Sequence, residues 1–198
     1  TNTVSRTRWK GRMLAYSSLE NMGLVAIALG TGGVGYHAAL LLVILHSFAK
    51  SSLFYQMGQL SRVLHTFKLD DCGNYMKLFP AGALVLILGL VSILAIPPSG
   101  LFIAEFMIFK GLVVNNSWLV IIFVMILLAF VIYAMSTRFM HIIFSNPRHN
   151  NPVAYPEKVN PSETITQFIL LSVVVALCLY QPQFLTEMIE KSIVMLPK

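Results

Sequence analysis

The sequence predicts an all-α fold, a polytopic bundle of transmembrane helices with about five to six spans, one of them a broken helix. Two observations about composition and pattern predict it. Hydrophobic residues make up 57% of the 198 positions and charged residues 11%, whereas soluble domains are roughly 25% charged. The apolar residues fall in several runs of about 18 or more, the length that a helix needs to cross about 30 Å of hydrocarbon.

The apolar runs follow one another in a simple order. The segment 1–12 is a basic, cytoplasmic segment, 13–181 holds the membrane helices, and 182–198 is a terminal tail, all within a single transmembrane domain. The runs are 13–30, closed by a glycine-rich turn, then 36–62, 80–114, 118–144 and 164–180. Within the third run, Pro97 and Pro98 precede Ser99 and Gly100, and two prolines interrupt any helix.

The number of crossings stays open between five and six. The two halves of segment 80–114 have about 15 and 14 residues, and each is shorter than a usual span. Lysine and arginine counts give ten on the side of the N-terminus and three on the other side for both alternatives. Under the positive-inside rule this places the N-terminus in the cytoplasm. We favour one broken crossing, because transporters build ion sites from discontinuous helices.

The charge and the cysteines exclude several classes of protein. The net charge is +6, but the basic residues lie between the apolar runs, where a membrane protein carries them, so no nucleic-acid partner is expected. Cys72 and Cys178 have no spacing typical of a zinc, iron–sulfur or haem site, and we expect no cofactor and no redox chemistry in this chain. The chain opens at Thr1 with no signal-peptide pattern, which is typical of the C-terminal part of a longer protein.

The candidate functional residues are four ionisable groups inside the apolar runs. They are Glu20, His46, Lys50 and Glu105. A charge at the centre of a bilayer costs roughly 2.5 to 3.5 kcal/mol even on the mild insertion scale, so such residues point to function. His46 and Lys50 are spaced i, i+4 and share one helix face, where a histidine could pass a proton to or from a lysine.

A structural alternative remains open for each group. Lys50 could form a permanent ion pair with Glu20 or Glu105, Glu105 could be bound by free amides near the proline break, and Glu20 could make a hydrogen bond that only aids packing. Basic and histidine residues near the ends of the runs are expected to be solvated or to extend to the membrane surface, although Arg138 and His141 could instead line a cytoplasmic exit for ions. The full set of these residues is His37, His65, Lys110, Arg138 and His141.

Three stretches together resemble one family. They are 10–23 (KGRMLAYSSLENMG), 46–54 (HSFAKSSLF) and 97–106 (PPSGLFIAEF). In this order they are similar to the antiporter-like proton-conducting subunits of complex I and its hydrogenase relatives. The resemblance implies two inverted repeats of five helices, each with one broken helix, of which this chain supplies the later part of the second repeat and a following helix. It also implies a mid-membrane axis with Lys50 at its centre, His46 beside it and Glu105 at its end.

The glutamate of Ser-Ser-Leu-Glu20 is similar to the hydrogenase-4 component F and formate hydrogenlyase branch, although that branch usually has histidine where this chain has Asn21. The resemblance implies a proton-translocating subunit in the cell inner (plasma) membrane, with sodium as the alternative ion. Its partners would be other membrane subunits, a peripheral arm that transfers electrons (a hydrogenase or a dehydrogenase), and the lipid bilayer. The alternatives are a subunit of a cation/proton antiporter without a redox partner and a structural membrane scaffold.

Overall fold

A computed structural model describes residues 9–63, 73–145 and 159–194, and in these ranges it is helical, without strands. The described residues form eight helices: α1 (Trp9–Thr31), α2 (Val34–Val63), α3 (Tyr75–Leu78), α4 (Pro80–Ile93), α5 (Gly100–Val114), α6 (Trp118–Phe144), α7 (Pro161–Leu179) and α8 (Gln183–Val194). The predicted all-α membrane fold is confirmed. The basic residues of 1–8, His65, Cys72 and the loop 146–158 lie outside the described residues, while Cys178 is half-buried in α7.

Helix α2 is the centre of the bundle and packs against α1, α4, α5 and α7. A row of its leucines is fully enclosed, with exposed fractions of 0% at Leu41, Leu42, Leu45, Leu53 and Leu60. Most of the apolar side chains of α6 are instead exposed on the outside of the bundle, as at Leu119 and Phe130. That is the pattern of a helix facing lipid tails or other membrane subunits, since hydrocarbon does not penalise exposed apolar surface.

A tight glycine turn joins α1 to α2. Gly32 and Gly33 adopt φ values of +66° and +49°, a region that glycine enters without the steric cost a side chain would add. Gly35 then lies directly against the Ala28 carbonyl and the Thr31 side chain, so a Cβ has no room there. The turn therefore brings α1 and α2 together as an antiparallel pair.

Helices α4 and α5 form one broken crossing. Successive glycines of the pair contact successive positions of α2 in reverse order: Gly82 lies beside Gln56, Gly89 beside Leu53, Gly100 beside Leu45, and Gly111 near Gly35. The two halves therefore continue along α2 in one direction instead of folding back on each other. This register supports the prediction of a single interrupted crossing, and it gives five crossings by α1, α2, α4 with α5, α6 and α7.

The interruption between the two halves is stabilised by Ser99. Its hydroxyl accepts a hydrogen bond from the backbone N–H of Leu101 at 3.2 Å and donates one to the Ser92 carbonyl at 3.0 Å. One side chain thus binds a free amide at the start of α5 and a carbonyl near the end of α4, which satisfies backbone groups that the break exposes. Ser99 is 1% exposed, whereas Ile96, Pro97 and Pro98 of the same interruption are exposed. The side of the break that carries the Ser99 hydrogen bonds is therefore buried in the bundle, where irregular backbone is tolerated at membrane depth.

The bundle has two ends, which we call the near face, where α1 begins, and the far face, where α1 ends. At the near face the backbone N–H of Asn74, just before α3, donates to the carbonyl of Ser145 after α6, at 2.8 Å. At the far face the side-chain amide of Asn115, just after α5, donates to the Thr31 carbonyl at 2.8 Å. The positive-inside prediction makes the near face cytoplasmic.

The terminal segment 182–198 contains a helix that the sequence analysis did not predict. Helix α8 follows α7 at the far face and packs against α2, with Ile189 only 3% exposed. Its 12 residues span about 18 Å at 1.5 Å per residue, too short to cross a bilayer. It is therefore a helix at the far face and not a sixth crossing.

Candidate functional site

Lys50 lies near the middle of α2 with only 5% of its side chain exposed. Its ammonium donates hydrogen bonds to the backbone carbonyl of Leu14 and to the hydroxyl of Ser17, the latter at 2.6 Å. The ring of Phe54 lies 5.8 Å from the ammonium, close enough for a cation–π contribution. The lysine is thus bound by neutral oxygens of α1 and an aromatic face of its own helix.

The permanent ion pair considered for Lys50 is not formed. Among the described residues the ion pair present is Arg62 with Glu163, and both of its side chains are well exposed. Glu20 is nevertheless near enough for its charge to act on Lys50. The ammonium is therefore stabilised by hydrogen bonds to neutral groups while a carboxylate stays in electrostatic range.

Polar atoms beside Lys50 lack partners among the described residues. His46, one turn from Lys50 towards the far face, is 6% exposed, and its Nδ1 has no hydrogen-bond partner. On α1, the Asn21 amide donates to the Ser17 carbonyl at 3.0 Å, but its Oδ1 is also unpartnered and the residue is 1% exposed. Buried polar atoms usually form hydrogen bonds with protein or with ordered water, so a water molecule bound to each of these two atoms would satisfy it.

Glu20 is the electrostatic link between Lys50 and Glu105. The charge of Lys50 acts on both Glu20 and His46, and the charge of Glu20 acts on Glu105. Both carboxylates are half-buried. Neither accepts a hydrogen bond from the protein in the described ranges, so the packing bond considered for Glu20 and the amide contacts considered for Glu105 are not observed.

The charged groups are ordered through the thickness of the bundle. The Lys50 ammonium contacts Leu14 and Ser17 in the first turns of the α1 apolar run, on the near-face side. Glu20 follows one turn further along α1. Glu105 lies between Gly100, level with Leu45, and Gly111, level with Gly35, and so belongs to the far-face half. Lys50, Glu20 and Glu105 therefore form a series that runs from one half of the membrane to the other.

The remaining charged candidates lie near helix ends, away from this series. Lys110, in the last turns of α5, and Arg138, in the last turns of α6, are exposed, and His37, in the first turn of α2, is half-buried, as is His141. These positions suit side chains that extend to the membrane surface. Within the described ranges no three His, Cys, Asp or Glu side chains are grouped so that they could hold a metal ion.

The groups that bind Lys50 are not evident from the sequence alone. The Leu14 oxygen belongs to the backbone and carries no residue-type signal. Ser17 is different, because it lies three residues before Glu20 and therefore on the same side of a helix. The sequence signal for Ser17 was therefore a hydroxyl three residues before the carboxylate of Glu20.

A comparison with protein families places most of the chain in one of them. The model of a transmembrane family described as NADH:quinone oxidoreductase/Mrp antiporter matches residues 3–132. The chain belongs to this family. The match covers α1, α2, the broken helix and the first half of α6, and therefore Glu20, His46, Lys50 and Glu105.

Individual relatives come from both branches of the expected resemblance. The chain is 35% identical to a hydrogenase-4 component F homolog of Methylacidiphilum infernorum over 101 residues, which cover 50% of this chain and 21% of that protein. It is 34% identical to NADH-quinone oxidoreductase subunit M of Buchnera aphidicola over 122 residues, 60% of this chain and 24% of that protein. A chain 4 of NAD(P)H-quinone oxidoreductase from Synechococcus is 28% identical over 189 residues, 91% of this chain and 35% of that protein. This chain thus spans between a fifth and about a third of these relatives.

Proposed function

We propose that this chain is the part of a proton-translocating membrane subunit that carries protons from Lys50 to the far face. The observation that carries the proposal is the series of Lys50, Glu20 and Glu105 across the bundle, in which each group acts on the next and no two form an ion pair within the described residues. Buried charges without a permanent partner are costly in a membrane, and they persist chiefly where they move ions.

The transfer can be written with the residues of this chain. The Lys50 ammonium releases Ser17 and gives a proton, through water at His46 and Asn21, to the Glu20 carboxylate. Lysine and glutamate are then both neutral, and Glu20 passes the proton to the Glu105 carboxylate in the far-face half. Glu105 then releases the proton to the far face and becomes a carboxylate again. Lys50 regains a proton from the near side, and its ammonium returns to the oxygens of Leu14 and Ser17.

The energy for this transfer would come from electron transfer in partner subunits. The relatives are named as a component of hydrogenase-4 and as subunits of quinone oxidoreductases, and both names describe membrane parts of larger redox complexes. We propose the same setting here, with other membrane subunits and a peripheral hydrogenase or dehydrogenase arm that holds the redox centres. Lys50, His46, Glu20 and Glu105 would respond to that arm through the charges of neighbouring subunits.

A cation/proton antiporter without a redox partner is the second candidate, and the family description itself names antiporters. The same charged series could exchange a cation for protons. Purification of the complete complex distinguishes the two candidate functions. A hydrogenase or dehydrogenase that copurifies with the subunit identifies a redox-driven complex. Cation-driven proton movement by a complex without such activity identifies an antiporter.

The decisive experiment measures acidification of inverted vesicles that contain the complete subunit, with Lys50→Met compared with wild type. Hydrogen, formate and NADH are supplied in parallel as electron donors. The matched control is Lys110→Met, the same chemical change at an exposed lysine outside the series. We expect Lys50→Met to abolish acidification while the complex still assembles, and Lys110→Met to keep it. Normal acidification by an assembled Lys50→Met complex would overturn the proposal.

A further inference from the structure

A second buried polar group lies on the face of α2 turned away from α1. We call it the glutamine cluster: Gln56 and Gln59 with Ser52 on α2, and Gln167 with Thr164 on α7. All five are at most 7% exposed. Its contacts join the two helices, because the Gln59 amide donates to the Thr164 hydroxyl at 3.2 Å and the Ser52 hydroxyl donates to the Gln167 backbone carbonyl at 3.2 Å.

The cluster has three acceptors that nothing in the described protein satisfies. The side-chain carbonyl oxygens of Gln56, Gln59 and Gln167 are buried and have no hydrogen-bond partner. Gln56 uses its amide on the Tyr75 hydroxyl, at 2.8 Å. Burial raises the pKa of Tyr75, so this hydroxyl stays neutral. Three neighbouring unpaired oxygens are costly in a membrane, where each buried polar group needs a partner.

A groove opens at the near face and is lined by two of these three glutamines. It runs between α2 and α7 with a volume of about 560 Å³, and its lining includes Gln59, Gln167 and both members of the Arg62–Glu163 ion pair. Gln59 and Gln167 thus contribute both to the groove and to the unpaired oxygens. The charged pair at the mouth favours water, and a lipid tail in the groove would leave the glutamine oxygens unpaired.

We propose that the glutamine cluster is a water-binding site, the inner end of a hydrated inlet that opens at the near face beside Arg62 and Glu163. The ligand is a short chain of water molecules, which donate hydrogen bonds to the three glutamine oxygens. The inlet ends at Ser52, two residues along α2 from Lys50 and so at nearly the same depth. The inlet faces α7, whereas Lys50 faces α1, so the inlet is separate from the charged series. The proposal of an inlet therefore does not depend on whether Lys50 moves protons.

Silver ions test the inlet, because Ag⁺ is close to water in size and replaces the proton of a thiol. The complete complex is prepared with Cys72 and Cys178 changed to serine, and single variants Ser52→Cys, Gln59→Cys and Thr164→Cys are made in that background. Ser52→Cys is nearly isosteric, which limits the risk of misfolding. Ag⁺ is added to sealed vesicles of each orientation, and thiols that remain free are counted with a maleimide after denaturation.

Two further variants calibrate the measurement. Lys77→Cys, exposed at the near face, marks the side from which Ag⁺ must enter. Ala49→Cys, at a position with 0% exposure in the apolar core, sets the rate for a dry site, which reacts only when the structure opens locally.

We expect Ser52→Cys, Gln59→Cys and Thr164→Cys to react from the same side as Lys77→Cys and at least about tenfold faster than Ala49→Cys, since a dry site must first open. Reaction of all three at the rate of Ala49→Cys would overturn the inlet. Fast reaction at Gln59→Cys with a slow Ser52→Cys would overturn the claim that water reaches the depth of Lys50.

Discussion

The ammonium of Lys50 on α2 donates a hydrogen bond of 2.6 Å to the hydroxyl of Ser17 on α1, and not to the nearby carboxylate of Glu20. A serine hydroxyl and a backbone carbonyl bind the ammonium without neutralising it. A buried ion pair would fix both charges, because separating them leaves each one unpaired in a medium of low dielectric constant. The neutral partners therefore hold Lys50 in place without neutralising its charge, as the proposed proton transfer requires.

Changing Ser17 to alanine removes one of the two oxygens that bind the ammonium. Because hydrogen bonds to charged groups contribute about 1.5–3 kcal/mol, we expect Ser17→Ala to lower the free energy of unfolding by roughly that amount and to slow acidification. Thermal unfolding of the purified complex and vesicle acidification measure the two effects.

Ser18→Ala is the matched control. The Ser18 hydroxyl bonds the same Leu14 carbonyl at 3.3 Å but does not contact Lys50. We expect it to leave acidification unchanged. Equal effects of the two substitutions would show that the Ser17 contact with Lys50 has no special part in transport.

Part of this site is predictable from sequence and part is not. The i, i+4 pair of His46 and Lys50 and the carboxylates of Glu20 and Glu105 stand out because charges are rare in apolar runs. The hydrogen-bond partners of Lys50 cannot be predicted in the same way. Helix packing, and not local sequence, decides which turn of α1 faces Lys50. The glutamine cluster could not be predicted because an uncharged amide in an apolar run does not mark a functional site as a charge does. The lack of hydrogen-bond partners for its oxygens can be seen only when α2 and α7 are packed together.

Neutralising Glu20 should interrupt the series at its middle. Glu20 is the group whose charge acts on both Lys50 and Glu105, so Glu20→Gln removes the acceptor between them while keeping the shape of the side chain. We expect acidification to fall about a hundredfold or more, the scale of losing a positioned proton acceptor, while the complex still assembles and still transfers electrons.

Glu187→Gln provides the comparison, since Glu187 is on α8 and outside the series. It should keep full acidification. If Glu20→Gln pumps as well as Glu187→Gln, protons pass from Lys50 to Glu105 without Glu20, and the order of transfer proposed above is wrong.

The crossing number shows where sequence reasoning on the fold ends. Proline and glycine at 97–100 mark the interruption, but lysine and arginine counts are the same for five and six crossings because equal numbers of basic residues exchange sides. The packing of α4 and α5 along α2 decides it. Helix α8 had a usable signal, since Leu185, Ile189 and Ile193 repeat every four residues, typical of one apolar helix face.

If the chain crosses the membrane five times, the two ends of the broken helix must lie on opposite sides of the membrane. With one broken crossing, Lys77 before α4 and Ser117 after α5 lie on opposite sides of the membrane, whereas six crossings would place them on the same side. In a complex whose native cysteines are changed to serine, Lys77→Cys and Ser117→Cys should therefore react with a membrane-impermeant maleimide in vesicles of opposite orientation. Labelling of both from one side would require α4 and α5 to cross separately.

The break itself depends on close contact between α5 and α7 at Gly100. A Cβ at this position would lie 2.7 Å from the backbone carbonyl oxygen of Val174 and 3.0 Å from the Leu45 side chain. Backbone cannot rotate away as a side chain can, so the first turn of α5 must move. We expect Gly100→Ala to destabilise the protein by about 1–3 kcal/mol, the usual cost of overpacking, and to disturb Glu105 on the next turn.

Gly23→Ala distinguishes this contact from the general effect of replacing a helical glycine. A Cβ at Gly23 meets nothing within 4 Å, and alanine is favoured over glycine in a helix by up to about 1 kcal/mol. The unfolding temperature should therefore fall for Gly100→Ala and stay the same or rise for Gly23→Ala. A Gly100→Ala protein as stable as wild type would mean that α5 and α7 are further apart than this packing requires, and that the broken helix is held in place by other contacts.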